Sequence, residues 1–278
     1  MGIRLLGLDL DGTALDPGGK LPAAVIEAVQ RVRARGVGVV VCTGRRYRTA
    51  LPLVLELELE GPMVVNNGVL IKEIGSARTL HQAFLPESVY AEALTLMREL
   101  TPPLVYVDDF HGGCDFLTER VEDAHAFQRE YLAENGDFGR VVPDLADAQP
   151  DAVVMMSAMA DTESLEALKG RVRQAFGERV HTHSLVNKNY HGDILELLSP
   201  ESGKWNALWH LACQRGIERA EIACLGDDNN DAEMIANAGL GIAMGNASPA
   251  AREAARVVVR SNAEGGAVEA LEQVWMAA

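Results

Sequence analysis

The chain has 278 residues, 48% of them hydrophobic, which is enough for one large or two medium domains around a sizeable core. Its 25 Lys and Arg against 40 Asp and Glu give a formal net charge of −15, which disfavours nucleic acid or an anionic membrane as a general partner and demands local positive charge wherever an anion is bound. Cys42, Cys114, Cys213 and Cys224 lack both zinc-finger spacing and the density of a disulfide scaffold, so they read as reduced thiols, and no apolar run approaches the ~20 residues of a membrane span. The N-terminus leads straight into a strand without a signal-peptide pattern, and Leu6 stands where a myristoylation signal carries Ser or Thr, so a cytoplasmic protein is expected.

The apolar run Ile3 to Leu8 ends in Asp9-Leu10-Asp11-Gly12-Thr13, the signature of a buried strand stopping at a turn. A period of two would send Asp9 and Asp11 the same way, with Gly12 letting the chain bend sharply. Two such carboxylates repel unless a cation binds, one acid stays protonated or the site uses both; the same residue types also serve ordinary turns and helix caps. Leu21-Pro22 opens an amphipathic helix through Arg35, Gly36 ends it, and Val37 to Cys42 is a second continuous apolar run. A crossover helix between two apolar strands predicts a parallel, doubly wound, Rossmann-like α/β core. Arg46 to about Leu57 reads as a helix, although Glu56 to Glu60 alternates as a strand would, and Met63 to Val65 is a third strand.

From about Phe84 to Ser184 the style changes. Helices are predicted over Pro86 to Leu100, Glu119 to Glu134 and Thr162 to Phe176, and strands over Leu104 to Val107, Asp115 to Leu117, Asp151 to Ala158 and Arg179 to Ser184. This stretch reads as an α+β cap, residues 84–185, inserted into a core of residues 1–83 and 186–278. In the second part of the core, strands are expected at Asp193 to Leu198, Glu221 to Leu225 and Leu240 to Ala243, and helices at Gly203 to Arg215, Asp231 to Ala238 and from near Gly266.

In open α/β sheets, sites form beyond the carboxyl ends of the strands, which selects several polar turns. Cys42-Thr43-Gly44-Arg45 offers a hydroxyl and backbone N–H groups at a helix start, suited to a phosphate or simply to capping the helix. Gly226-Asp227-Asp228-Asn229-Asn230-Asp231 places three carboxylates within five residues, hard oxygen ligands that point to magnesium. Lys204 opens the helix after Ser202-Gly203. Together these groups address one electrostatic problem: a carboxylate attacking a phosphate dianion meets about 4 kcal/mol of repulsion per charge pair at ~4 Å and an effective dielectric of ~20, which a magnesium ion and an ammonium offset.

With these segments in order, DLDGT at 9–13, VCTGR at 41–45, Lys204 in SGKWNAL and GDDNND at 226–231, the chain resembles the haloacid dehalogenase superfamily. NNG at 66–68 and AMGNA at 243–247 narrow the resemblance to the Cof-type branch, whose α/β cap follows the third core strand. The resemblance implies a magnesium-dependent phosphatase for small phosphorylated metabolites, sugar phosphates foremost, working through an aspartyl-phosphate. In it Asp9 is the nucleophile, and Asp11 protonates the leaving alcohol and then activates water. Thr43, Gly44, Lys204, Asn230 and the backbone of Leu10 hold the phosphate, while Asp9, the Asp11 carbonyl and Asp227 ligate the metal with help from Asp228. Asp231 orients the site, and Arg45 and Asn67 lie at its mouth. A phosphomutase on the same core, or a non-catalytic sugar-phosphate sensor, are the alternatives; a sensor would be expected to lack Asp9 or Asp11. Two features depart from the branch: Trp205 follows the lysine where a small residue is usual, which would crowd the helix start, and Glu264-Gly265-Gly266 replaces an acidic-Asp-Gly segment.

Among the remaining residues, His181 and His183 alternate on a cap strand and read as a polar face before a metal pair. Met155, Met156 and Met159 read as core filling, and Asp108-Asp109 with His111-Gly112-Gly113 as a turn that would serve substrate selection only if it reached the site. The substrate itself and the oligomeric state are not written in the sequence.

Overall fold

A computed structural model describes residues 2–148, 152–186 and 191–278, and its contacts divide the chain into two compact units, Met1–Gln82 with Gly203–Ala278, and Ala83–Ser202. The first unit begins with β1 (Leu5–Leu8), α1 (Ala23–Ala34), β2 (Gly38–Val41), α2 (Tyr47–Glu56) and β3 (Pro62–Val65), followed by a hairpin of β4 (Leu70–Glu73) and β5 (Thr79–Gln82). The second unit holds α3 (Glu87–Arg98), β6 (Leu104–Asp109), β7 (Cys114–Thr118), α4 (Ala126–Asn135), β8 (Gly139–Val141), β9 (Met155–Ala160), α5 (Thr162–Phe176), β10 (His181–Val186) and β11 (Asp193–Leu198). The chain then returns to the first unit with α6 (Lys204–Gln214), β12 (Ile222–Gly226), α7 (Ala232–Asn237), β13 (Leu240–Ala243), α8 (Pro249–Ala254), β14 (Val257–Val258) and α9 (Gly266–Ala277).

The expected doubly wound core is present: five parallel strands run in the order β14-β13-β12-β1-β2. Every residue of β1 is buried, and a Cβ on Gly7 would lie 2.6 Å from Leu208 Cδ2, so the missing side chain lets α6 press onto the central strand. Leu5, Val40, Ile71, Leu208 and Ile222 share one apolar cluster, into which Trp205 packs, stacked on Trp209. The bulk of Trp205 is therefore absorbed by the core, and the crowding expected from it is not seen.

Three differences from the sequence expectations have local causes. The third strand, β3, pairs antiparallel with β4, and one parallel bridge, Cys42 to Val64, links it to the end of β2. Asn66, Asn67 and Gly68 all take positive φ, and this left-handed corner turns the chain back on itself. The alternation in Glu56 to Glu60 is not a strand, since the helix runs through Glu56 and a turn follows. Asp193–Leu198 is a strand as expected, but it lies antiparallel between β10 and β9, so the second unit extends to Ser202 and the core resumes at Gly203. An apolar strand carries no mark of which sheet it completes. The expected start of β9 at Asp151, and residues 187–190 just after the expected cap boundary, lie outside the described residues.

The second unit is a six-stranded sheet in the order β10-β11-β9-β6-β7-β8, with Val89, Leu94, Met97, Val105, Met156, Leu165, Val172 and Leu195 forming its apolar cluster. Met155, Met156 and Met159 are buried as expected. Asp109 closes the β6–β7 turn by accepting the Gly112 N–H at 2.9 Å, and His183 Nδ1 lies 3.3 Å from Glu196 Oε2. The four cysteines are free thiols. No helix among the described residues is long and apolar enough to cross a membrane.

Candidate active site

Asp9 is the first residue beyond β1, at the carboxyl end of the sheet, and the chain does not stay extended there. Leu10–Ala14 winds into a wide helical turn, broken by Asp11 (ψ 119°) and Gly12 (φ 79°). The period-two expectation therefore fails: Asp9 is 3% exposed, whereas the Asp11 side chain is 54% exposed and held at both oxygens by Arg45, Nε at 2.7 Å and Nη2 at 2.6 Å. Gly12 is required twice over, by its left-handed backbone and because a Cβ would sit 2.1 Å from Asp227 Oδ2.

The crowding of carboxylates exists, but with different members. Oxygens of Asp9, Asp227 and Asp231 all lie within 4.8 Å of one another, and all three residues are buried. Lys204 Nζ stands between two of them, donating to Asp9 Oδ1 at 2.7 Å and Asp231 Oδ1 at 2.6 Å. Burial, and after it the Asp231 charge, raises the Asp9 carboxyl well above the usual carboxylate range, although Lys204 pulls it down. Asp227 is pushed up to about 7, by burial first and by Asp231 second, against the hydrogen bond from Thr13. Burial opposes the charge on Lys204 too, but Asp231 and Asp9 outweigh it and hold the ammonium firmly protonated.

Three carboxylates face a single ammonium, so full ionisation of the trio would leave negative charge unmatched, and the available donors are oxygens, so the set fits a hard divalent cation. Asp231 is already committed: its Oδ2 accepts the N–H groups of Asp227 and Asp228 at 3.0 Å each, which fixes the acidic loop beyond β12. Asp228 stays outside the trio, half-buried, its carboxylate accepting the Asn229 N–H at 2.7 Å.

The remaining expected residues converge from other strand ends of the same unit. Thr43, fully buried beyond β2, accepts the Arg45 N–H at its Oγ1 at 3.1 Å, and its carbonyl accepts the Asn67 N–H at 3.2 Å. A Cβ on Gly44 would lie 2.8 Å from Asn67 Oδ1, which in turn accepts from Asn230 Nδ2 at 2.9 Å. Asn230 Oδ1 is buried with no hydrogen-bond partner, a polar atom left for a ligand to satisfy. Leu10 is buried and starts the turn after Asp9. Thr13 and Asn246 join the site beyond the residues expected, each donating to Asp227, at 3.1 and 3.2 Å. Thr13 and Asn246 lie within recognised motifs, but nothing in their spacing reveals that they bond Asp227.

The left-handed corner at 66–68 seats the lysine. A Cβ on Gly68, where φ is +85°, would lie 2.1 Å from the Gly203 carbonyl oxygen and 2.8 Å from the Lys204 nitrogen. Gly68→Ala is expected to destabilise the protein by about 2 kcal/mol or more and to impair activity, because it strains the backbone and displaces the start of α6. Urea unfolding and a rate assay on the same preparation check both halves.

A doubly wound α/β sheet with a buried carboxylate at its central strand end, a lysine bonded to it and an acidic loop beyond the next strand defines a carboxylate-centred enzyme core. The chain belongs to the haloacid dehalogenase-like hydrolase family, which matches residues 6–271, and is accordingly a hydrolase. It is 29% identical over 246 residues to the HMP-PP phosphatase of Cronobacter sakazakii, covering 88% of this chain and 85% of that protein. It is 26% identical over 275 residues to the 5-amino-6-(5-phospho-D-ribitylamino)uracil phosphatase YitU of Bacillus subtilis, covering 98% and 97%. A haloacid dehalogenase-like hydrolase from Bacteroides thetaiotaomicron has the same fold, with a TM-score of 0.81 at 26% identity over 98% of this chain and 99% of that one.

Proposed function

We propose that this protein is a magnesium-dependent phosphatase that hydrolyses small phosphorylated metabolites, sugar phosphates foremost, through an aspartyl-phosphate on Asp9. The observation that carries this reading is the setting of Asp9: buried beyond the central strand, bonded to Lys204, and clustered with Asp227 and Asp231. The phosphatases named among its relatives support the reaction class, and the phosphoribityl group in the name of one of them supports a polyol phosphate as substrate. A strongly acidic chain suits a small metabolite better than nucleic acid or membrane, and a cytoplasmic location fits that substrate.

Asp9, Asp227 and the Asp11 carbonyl would hold the magnesium ion, which when bound neutralises charge between Asp9 and the substrate phosphate. Asp9 attacks phosphorus through a carboxylate oxygen, the ester P–O bond breaks, and Asp11 gives its proton to the departing alkoxide. Asp11, now ionised, takes a proton from water as that water attacks phosphorus, the bond to Asp9 breaks, and inorganic phosphate leaves. Lys204, Thr43, Gly44, the Leu10 backbone and Asn230 hold the phosphoryl oxygens, and Asp231 keeps Lys204 and the acidic loop in place. Asp11 is occupied at both oxygens by Arg45, so this scheme requires that pair to open and Asp11 to take up a proton from water as substrate enters, releasing Arg45 toward the substrate near Asn67.

A phosphate-release panel of sugar phosphates, nucleotides and cofactor phosphates tests the reading. Release is expected with magnesium present and to fall at least about tenfold in excess EDTA, with recovery on adding magnesium back. Undiminished release in EDTA would sink the mechanism, and no release from any member would sink the substrate class.

A further inference from the structure

Asn246 belongs to the Ala243–Ala247 motif, to which the proposed reaction gives no work, yet its side chain is built into the acidic site. Its Nδ2 donates to Asp227 Oδ2 at 3.2 Å and to the Gly12 carbonyl at 2.9 Å. The orientation of that amide is set from behind, since Asn246 Oδ1 accepts the Asn262 N–H at 3.0 Å. Asn262 in turn donates from its own Nδ2 to the Leu15 carbonyl at 2.9 Å, at the far end of the turn that begins beside Asp9. The Asn262 turn is itself fixed, because Ser261 donates from both N–H and Oγ to Glu264 Oε2. Glu264, which precedes the Gly265 that stands where the branch usually carries Asp, is therefore what closes this brace.

The other Asp227 oxygen is equally engaged: Oδ1 accepts from Thr13 Oγ1 at 3.1 Å, and the Asp227 carbonyl accepts the Ser248 N–H at 2.7 Å. Each carboxylate oxygen keeps lone pairs beyond these bonds. Two donors, one at each oxygen, Thr13 on Oδ1 and Asn246 on Oδ2, restrain the rotation of the carboxylate, and with it the lone pairs left for a ligand beside Asp9. We infer that Asn246 is a positioning residue for the divalent cation: braced by Asn262, it orients Asp227 and ties that carboxylate to the backbone of the Asp9 loop. The inference rests on the proposed magnesium site at Asp9 and Asp227, and extends it to residues outside the ligand set.

Outer partners of this kind change metal affinity by about 10–100-fold when removed. Asn246 is exposed at the surface, so truncating it leaves the core packing alone. The test measures Mg2+ affinity by competition against Mn2+, followed by electron paramagnetic resonance, in wild type, Asn246→Ala, Asn246→Ser and, as reference, Asp227→Asn. Melting temperatures of the metal-free proteins are recorded alongside. Both Asn246 variants are expected to bind Mg2+ at least about tenfold more weakly than wild type with metal-free melting unchanged, and to need more magnesium for half-maximal rate while the substrate KM at saturating magnesium stays within about twofold. Wild-type affinity in both variants overturns the inference while leaving the magnesium site standing, and so does weakened binding that merely follows lost melting temperature. A wild type that binds no Mg2+, matching Asp227→Asn, overturns the site itself.

Discussion

Asp9→Asn is expected to lower the rate of phosphate release by at least about 10⁴-fold while leaving the metal-free protein no less stable than wild type. The two halves have one origin. An amide of the same shape still offers Lys204 an acceptor oxygen, so the hydrogen bond that holds the ammonium survives in weaker form. What disappears is a nucleophilic oxygen and one negative charge from a trio whose oxygens lie within 4.8 Å of one another. Burial and the Asp231 carboxylate disfavour the ionised form of Asp9 in the folded protein, so a neutral residue relieves that tension. Rate assays at saturating magnesium and a melting curve in EDTA test the prediction together. A variant within tenfold of the wild-type rate would take Asp9 out of the chemistry, and a collapse in melting temperature would show that the substitution acted through the fold instead.

Lys204→Met should produce the opposite combination, a loss of both stability and rate. Methionine matches the length of the stem but leaves Asp9 and Asp231 buried without their cation. Removing one partner of a buried pair typically costs about 3–5 kcal/mol, and loss of a donor to the phosphoryl oxygens is worth about 10²–10³ in rate. The stability deficit should depend on pH in a definite direction. Asp9 already titrates above the unfolded carboxylate range, and removing Lys204, which lowers it, raises it further. A carboxyl raised in the folded state contributes stability that is present at low pH and fades as pH climbs through the folded value. The deficit of the variant should accordingly be largest at neutral pH and above and narrow on acidification toward about pH 5. Chemical unfolding at several pH values, in EDTA, measures it; a deficit independent of pH would mean that packing, not charge, is what Lys204 supplies.

The strands of the core were readable because parallel strands buried on both faces are written as uninterrupted apolar runs, as in Leu5–Leu8 and Gly38–Val41. The same property hid the allegiance of Asp193–Leu198, which is apolar enough for either sheet and is assigned only by its antiparallel partners. Short elements such as β8, α8 and β14 carry too few residues for any period to emerge. At the site, Lys204 and Asp227 lie beside Asp9, and Thr43 and Asn230 are joined through Asn67 within the same unit. Asp11 is the exception. Strand geometry ends at Leu8, the turn that Gly12 enforces takes over, and the carboxylate expected beside Asp9 instead faces outward to Arg45. Asn246 and Asn262 are invisible for a different reason, since contacts that join residues far apart in sequence through short amides have no spacing to betray them.

Central strand β1 pairs on one side with β2, a helix away, and on the other with β12, where Leu5 meets Ile222 across an entire second unit of the chain. The consequence is one of timing during synthesis. Ala83–Ser202 is continuous and is made first, whereas the strand that leads into Asp9 must wait with an apolar edge unpaired until β12 follows it. Such delayed, long-range pairing is slow, and it leaves that edge open to association with other chains until β12 arrives.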